Sequence, residues 1–480
     1  MKKALSKIMN MPHNLKATIV FAVASFATTG INYLTTPIFV RLLSQSEYGV
    51  VSIYNSVYAI ISVIATLTLS RPGVLTVGLY EHADNRWGYL SSMLGAVACS
   101  TVTVSVLMAI AWPLIGQYIN LPLSLVVLLL LTCLLQPSMT FWTNKNRYEQ
   151  SYKVTFLVTV SSAVLAQVVS ILVVYLCKER TNADLAGVRL WSAAAVNLAV
   201  AMVLYLYICF KGKKFINVPL WKKTLSFALP LIPHYLGFAF LNGTDKIMIG
   251  AMVGEDKAGI YSLASVVSMV SSLVWQALCV SITPFMYNRL GNRRFDDIQK
   301  NIKPLLVFVA ICCVLISLAA PEIIWIFSTS EYAEAMYIIP TIAAGVFMHI
   351  MYDVFSNVSF FHKKSVLIML ATVIAAVFNV VLNYVCIRNF GYMAASYTTL
   401  ASYSLLALLH YGISRKVERE KIFEPKTCVI LAIMVIVACM LCLPLYKVNV
   451  ARYILIAAIA VAVVVKRRYF IDAISRMGVK

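Results

Sequence analysis

Charge is what this chain has least of. Only 12% of its 480 residues are Asp, Glu, Lys or Arg, and just 19 are acidic, whereas a soluble domain has about 25% charged residues. That scarcity excludes a soluble globular protein. Long hydrophilic connections are missing as well, so no soluble domain is expected on either side of a membrane. No GxxxxGK[ST] sequence occurs, which leaves no phosphate-cradling ATP loop. The 11 cysteines fall in or at the edges of apolar runs, as Cys312 and Cys313 do, and suggest neither a disulfide framework nor a metal site. Cys439 and Cys442 form a CxxC, which inside an apolar helix reads as packing of small hydrophobes. No cofactor is expected.

What the chain has is hydrophobicity, at 61% of residues. Apolar runs of about 18 to 25 residues recur from Ala17 to Val465, each able to cross a ~30 Å hydrocarbon core at ~1.5 Å per residue. They hardly alternate, which excludes a β-barrel. Fourteen spans are expected, at 17–40, 50–70, 88–112, 121–142, 154–177, 189–210, 224–250, 258–286, 304–327, 335–361, 365–387, 391–413, 427–446 and 450–466. The fold class is an all-α polytopic membrane protein. "MKKALSKIMNMPHNLKATIVF" has the positive lead of a signal peptide, but its apolar stretch runs too far, so it reads as an uncleaved first helix.

The net charge of +21 is distributed by topology. With the N-terminus inside, 31 of the 40 Lys and Arg fall on inner segments, among them Lys2, Lys3 and Lys7 at the start and Arg467, Arg468 and Lys480 at the end. The positive-inside rule then puts both termini in the cytoplasm. The basic partners are anionic membrane lipids, and no nucleic acid is expected.

Internal repetition divides the spans. "LLSQSEYGVVSIYNSV" (42–57) aligns without gaps on "MVGEDKAGIYSLASVV" (252–267), and "LAGVRLWSAA" (185–194) echoes "NFGYMAASYT" (389–398) more weakly at an offset of 204. Two pseudo-symmetric six-helix bundles follow, at 1–215 and 216–415, with two additional C-terminal helices and a tail at 416–480. Six is even, so the repeats are parallel. "RLLSQSEYGVVSIYNS" reads as the outer hairpin between the first two helices, with Gly49 allowing the turn.

Polar residues within spans mark the interior, because lipid-facing polar groups are costly. In the first span Ser25, Thr29, Asn32 and Thr36 share one helical face. Asn55 in the second and Ser265, Ser272 and Gln276 in the eighth extend such stripes. They suggest a wet cleft, while for any single hydroxyl, bonding to its own backbone is an equal reading. The seventh span carries Pro230 and Pro233, which should bend it. It also carries His234 ~15 Å from its start, Asn242, and Asp245 with Lys246 ~30 Å along. The last two read either as functional groups or as an interfacial, snorkelling pair. In the tenth span His349, Asp353 and Asn357 step by four, and Asp353 is the leading candidate for a proton- or cation-coupling group. Asp245, His349 and His234 are further coupling candidates. Glu322, near an outer end, reads as interfacial.

"TTPIFVRLLSQSEYGVVSIYNS", "LNGTDKIMIGAMVGEDKAGIYSLAS", "LAAPEIIWIFSTSEYAEAMYIIP" and "RNFGYMAASYTTLASY" together resemble the Wzx-type polysaccharide flippases of the multidrug/oligosaccharidyl-lipid/polysaccharide exporter superfamily. The resemblance implies two bundles around a central cavity. It implies alternating access that moves undecaprenyl-diphosphate-linked oligosaccharide repeat units from the cytoplasmic to the periplasmic leaflet of the bacterial inner membrane, for O-antigen or capsular polysaccharide. The chain would then be a transporter rather than an enzyme, with polysaccharide polymerase machinery as partner, driven by membrane voltage, by countertransport of H+ or Na+ through Asp353, or by consumption of product outside. Cationic residues would hold the diphosphate, with Arg41 and Lys246 at fitting motif positions and Arg71 and Arg189 as further candidates at span ends. A drug/cation antiporter of the same superfamily should carry acids inside its early spans, and the first six here have none. A membrane-embedded polymerase should carry a large outer loop or an acidic metal motif, and neither is present.

Overall fold

The computed structural model describes residues 13–119, 121–179 and 184–477. Lys2, Lys3, Lys7 and Lys480 lie outside the described residues. No strand occurs among those described, and each of the fourteen expected spans coincides with a helix or a broken pair of helices. Eleven helical stretches are long and apolar enough to cross a membrane by length and composition. The chain is thus a multi-pass, all-α membrane protein.

Packing separates the chain into two units, one ending at Leu236 and the next beginning at Gly237. The first contains α1 (His13–Leu42), α2 (Gln45–Ala65), α3 (Pro72–Glu81), α4 (Arg86–Ile119), α5 (Leu123–Tyr148), α6 (Tyr152–Cys177), α7 (Leu185–Gly212) and α8 (Val218–Ala228). α9 (Ile232–Met252) begins in the first unit and passes into the second. The second unit continues with α10 (Glu255–Ser268), α11 (Val270–Gly291), α12 (Phe295–Leu318), α13 (Ala320–Phe327), α14 (Ala335–Phe361), α15 (Ser365–Phe390) and α16 (Ala394–Val417). It closes with α17 (Pro425–Leu445), α18 (Asn449–Val465) and α19 (Arg467–Met477).

The division falls inside the seventh span, at its bend, and not at residue 215. α8 belongs to the first unit because Trp221 Nε1 donates to the Ser92 carbonyl at 2.8 Å and Ala228 lies in the core built on α3, α4 and α5. A 3-10 turn over Leu229–Leu231 contains Pro230, and Pro233 follows in the first turn of α9. Proline removes a backbone donor, so the helix bends where expected. Beyond the bend, Gly237 packs on Thr372 and Asn242 meets Tyr403, both in the second unit.

The hairpin after α1 turns differently from expectation. Gly49 is buried within α2, and the turn is made at Ser44, whose extended backbone caps the helix. Ser44 Oγ accepts from Glu47 N while the Glu47 carboxylate accepts from Ser44 N, a reciprocal capping box. The repeat partner of Ser44 is Gly254, which caps α10 with φ 148°. Both bundles therefore start this helix at the same register, 210 residues apart. Leu185 and Ala394 start α7 and α16, 209 residues apart, so the weaker echo at 204 does not give the structural register.

The segment after α2 also differs from expectation. The helix of the second span ends at Ala65, a few residues short of the expected end at 70, and after Leu67 and Thr68 adopt φ 51° and 57° Arg71 leads into α3, a further helix where a loop was expected. In the second unit α14 is buried along nearly its whole length and serves as the central post.

Candidate functional site

In the first unit the two breaks meet. Thr68, fully buried, donates from Oγ1 to the Ala228 carbonyl at 3.1 Å, which joins the gap after α2 to the C-terminal end of α8. The final carbonyls of a helix lack intrahelical donors, so this hydroxyl supplies one. Arg71 stands at the N-cap of α3 and lays its guanidinium over the Tyr235 ring, 4.5 Å from the centroid. His234 lies beside Tyr235, ring centroids 5.3 Å apart. Arg71 and His234, 163 positions apart in sequence, thus share one neighbour. A guanidinium stacked on an aromatic face keeps its in-plane donors available to an anion. The start of α3 adds unpaired backbone N–H groups and the positive end of a helix dipole.

The polar face of α1 is bonded sideways to α5 and α6. Arg147 Nη2 donates to Ser25 Oγ at 3.0 Å, and Gln167 Nε2 donates to Asn32 Oδ1 at 2.9 Å. Thr29 and Thr36 donate to carbonyls of their own helix, those of Ser25 and Asn32. The stripe is therefore partly a backbone-bonding feature and partly an exposed polar ladder, since Ser25 and Asn32 remain exposed within the unit. Asn55 is also exposed.

At the other end of α2, Arg41 ends α1 with its side chain exposed and its carbonyl accepting from Lys178 Nζ at 3.4 Å. Arg189 lies on the Phe39 ring, 4.1 Å from the centroid, and 5.8 Å from that of Tyr48.

The second unit holds Asp245, which is not an interfacial pair with Lys246. Asp245 is 5% exposed and accepts from Tyr261 Oη at 2.8 Å, Asn383 Nδ2 at 2.5 Å and Thr399 Oγ1 at 2.5 Å. Four helices, α9, α10, α15 and α16, contribute to this cage. Thr398 donates to Asn383 Oδ1, and Asn383 Nδ2 also reaches Asn379 Oδ1 at 3.2 Å. All donors to the carboxylate are neutral. Lys246 is half-buried, and among the described residues it forms no ion pair within 4 Å. A buried carboxylate held by neutral hydroxyl and amide groups is an oxygen-rich place suited to a small hard cation or a proton.

Asp353 forms a second polar centre. It accepts from Trp275 Nε1 at 2.7 Å and from Cys279 Sγ at 3.4 Å. The Asn357 side chain turns to the Asp353 carbonyl rather than to the carboxylate. His349 packs among Phe238, Tyr352 and Tyr403, with centroids 5.1 to 5.5 Å away, and its buried Nε2 has no hydrogen-bond partner among the described residues. Tyr403 Oη donates to Asn242 Oδ1 at 3.0 Å, so Tyr403 stands between the Asp245 helix and His349. Ser265 donates to its own helix, while Ser272 is half-buried and Gln276 exposed. Gln167, Arg147, Tyr235, Tyr261, Asn383 and Thr399 escaped the sequence reading. Gln167, Asn383 and Thr399, as polar groups inside spans, carried a signal of burial but none of their partners.

Glu322 is also more than interfacial. Arg452, 2% exposed, reaches its carboxylate with Nη1 at 2.7 Å and Nη2 at 2.5 Å, and Tyr453 Oη donates to it at 2.7 Å. Arg452 Nη1 also caps the Leu318 carbonyl at the break between α12 and α13. These bonds fix α18 to the second unit. Cys439 and Cys442 are buried free thiols, with Cys442 Sγ donating to Ala438 O at 3.2 Å.

Comparison with known proteins agrees with this architecture. The family model described as polysaccharide biosynthesis protein matches residues 14–288, and the model described as MatE matches residues 230–385. "Lsg locus putative protein 1" of Haemophilus influenzae is 23% identical over 416 residues, covering 83% of this chain and 98% of that protein. "Probable low-salt glycan biosynthesis flippase Agl15" of Haloferax volcanii is 25% identical over 179 residues, 36% of this chain and 38% of the relative. Among solved structures, the lipid II flippase MurJ in an inward closed conformation superposes with a TM-score of 0.68 at 12% identity, covering 94% of this chain and 99% of that one. The chain belongs to the polysaccharide biosynthesis protein family.

Proposed function

We propose that this protein flips undecaprenyl-diphosphate-linked oligosaccharide repeat units from the cytoplasmic to the periplasmic leaflet of a bacterial inner membrane, for O-antigen or capsular polysaccharide, by alternating access. The observation that carries the reading is Arg71 on Tyr235 at two abutting helix breaks. Broken spans are where membrane transporters expose backbone groups to a polar substrate. A relative named as a glycan biosynthesis flippase and the fold shared with a lipid II flippase support it.

A diphosphate with sugars cannot cross hydrocarbon unaided, because each charge and hydroxyl would lose its water. Arg71 engages the diphosphate, with Arg41, Arg189 and Lys246 as further cations, and exposed Ser25, Asn32, Asn55 and Gln276 receive sugar hydroxyls. The polyprenyl tail stays in lipid. The polar centres at Asp245 and at Asp353 with His349 bind the coupling ion, H+ or Na+, and His234 sits beside the phosphate-binding arginine. Both termini are cytoplasmic, basic inner segments rest on anionic lipids, and the product passes to polysaccharide polymerase machinery. The chain itself forms and breaks no covalent bond.

Cells lacking the gene should hold single lipid-linked units accessible only from the cytoplasmic face. Wild-type chain should restore outer accessibility, and Arg71→Gln at equal abundance should not. Units accumulating on the outer leaflet of the deletion strain would instead indicate a polymerase and overturn the reading.

A further inference from the structure

Among the further cations of this reading, the one whose own place the structure defines best is Arg189. Its Nη1 is buried and meets no acceptor among the described residues. One face of the guanidinium is covered by Phe39 at 4.1 Å, which leaves its five N–H donors in the ring plane. Of the three acids in the adjoining segments, Glu179 is exposed and forms no ion pair with Arg189, and the other two are already engaged. Glu47 accepts from both the backbone N–H and the hydroxyl of Ser44 at 2.8 Å, and Asp184 Oδ1 accepts from Gly187 N at 3.0 Å. A cation held in an apolar setting without a counter-charge is costly. An anionic ligand would remove that cost.

We infer that Arg189 forms a second phosphate-binding station, flanked by Arg41 and Lys178, which receives a diphosphate or phosphate ester at the opposite end of α2 from Arg71. Lys178 bonds the Arg41 carbonyl, so the three cations gather around the start of α2. Arg71 follows the end of α2. The 21 residues of that helix separate the two stations by about 30 Å, one hydrocarbon thickness. The first unit thus carries an anion site at each end of a membrane-length helix. The inference rests on the flippase reading and adds where the headgroup is held after crossing.

The test uses the full-length protein in detergent, titrated calorimetrically with inorganic pyrophosphate. Wild type should bind two equivalents, and Arg71→Gln and Arg189→Gln should each bind one. Arg189→Lys keeps the charge but loses the planar fork, so one of its two sites should weaken about tenfold. It also guards against misfolding of the glutamine variant. Two unchanged sites in Arg189→Lys and Arg189→Gln overturn the second station and leave the flippase reading intact. No binding by wild type overturns both the station and the phosphate role of Arg71. Ambient phospholipid could supply the same phosphate chemistry. In nanodiscs of phosphatidylglycerol, occupancy by that lipid would reduce wild-type pyrophosphate binding to one equivalent. Nanodiscs of an uncharged galactolipid would restore two, whereas two equivalents in both bilayers assign the station to the substrate headgroup.

Discussion

Thr68 and Ala228 are joined by a buried hydroxyl-to-carbonyl bond of 3.1 Å that ties the gap in the second span to the bend in the seventh. Thr68→Ala should remove the side-chain bond to the Ala228 carbonyl, which keeps only its bond within the 3-10 turn, and cost about 1 kcal/mol. Thr68→Ser should retain most of that stability. Thermal unfolding of the two purified variants checks the order; equal loss in both would mean the methyl group, not the bond, matters.

Arg71 should tolerate no neutral replacement. Arg71→Gln is expected to lower outer accessibility of lipid-linked units at least tenfold with normal membrane insertion, and Arg71→Lys to recover part of it. Tyr235→Leu should produce a milder defect, since it removes the stacking surface and keeps the charge. Full transport by Arg71→Gln at low expression would remove the residue from the site.

Asp245→Asn preserves shape and still accepts from two of its three donors. Transport in vesicles under imposed Na+ or pH gradients should lose its gradient dependence in this variant. Asp353→Asn, with Trp275 still able to donate, separates the two centres: the one whose variant retains full dependence is not the coupling site.

Arg452 is buried and Glu322 half-exposed, so removing the arginine alone should be the more damaging change. Arg452→Ala is expected to destabilise by about 3 kcal/mol, because it strips the pair and the cap on Leu318 together. Hydrogen exchange should rise first across residues 449–465. Uniform exchange over the whole chain would argue against a local anchor.

Glu334 provides a pH-dependent test outside the spans. Tyr392 and Lys257, the latter at 2.9 Å, donate to its carboxylate and hold it below the usual carboxylate range. Its folded pKa is depressed, so the stabilisation is present above the ordinary value near 4.5 and is lost as pH falls through the lower folded value. The Tm difference between wild type and Glu334→Gln should therefore be full at pH 7 and vanish in stronger acid. A difference that grew on acidification would contradict the assignment.

The spans were legible because membrane crossing imposes long apolar runs, and a helix is the only local solution for each. Asp245 and Asp353 were legible for the opposite reason, as charges where charge is costly. Their partners were not. Tyr261, Asn383 and Thr399 come from three further helices, up to 154 residues away, and no spacing announces them. The capping box was readable in "SQSE", yet Gly49 drew attention because glycine is the commoner turn residue. The end of the second span was legible in "TLTLSRPG", but the short helix α3 after it was not, since ten residues opening on Pro-Gly read as a loop.

Leu67 and Thr68 hold left-handed backbones with neither a glycine nor an asparagine between them, a conformation that costs of order 1–3 kcal/mol per residue. A continuous helix through this point would be more stable, and it would erase the helix start that Arg71 occupies. Selection for thermal robustness should therefore drift toward mending the second span. Variants recovered that way ought to be well folded, abundant and inactive.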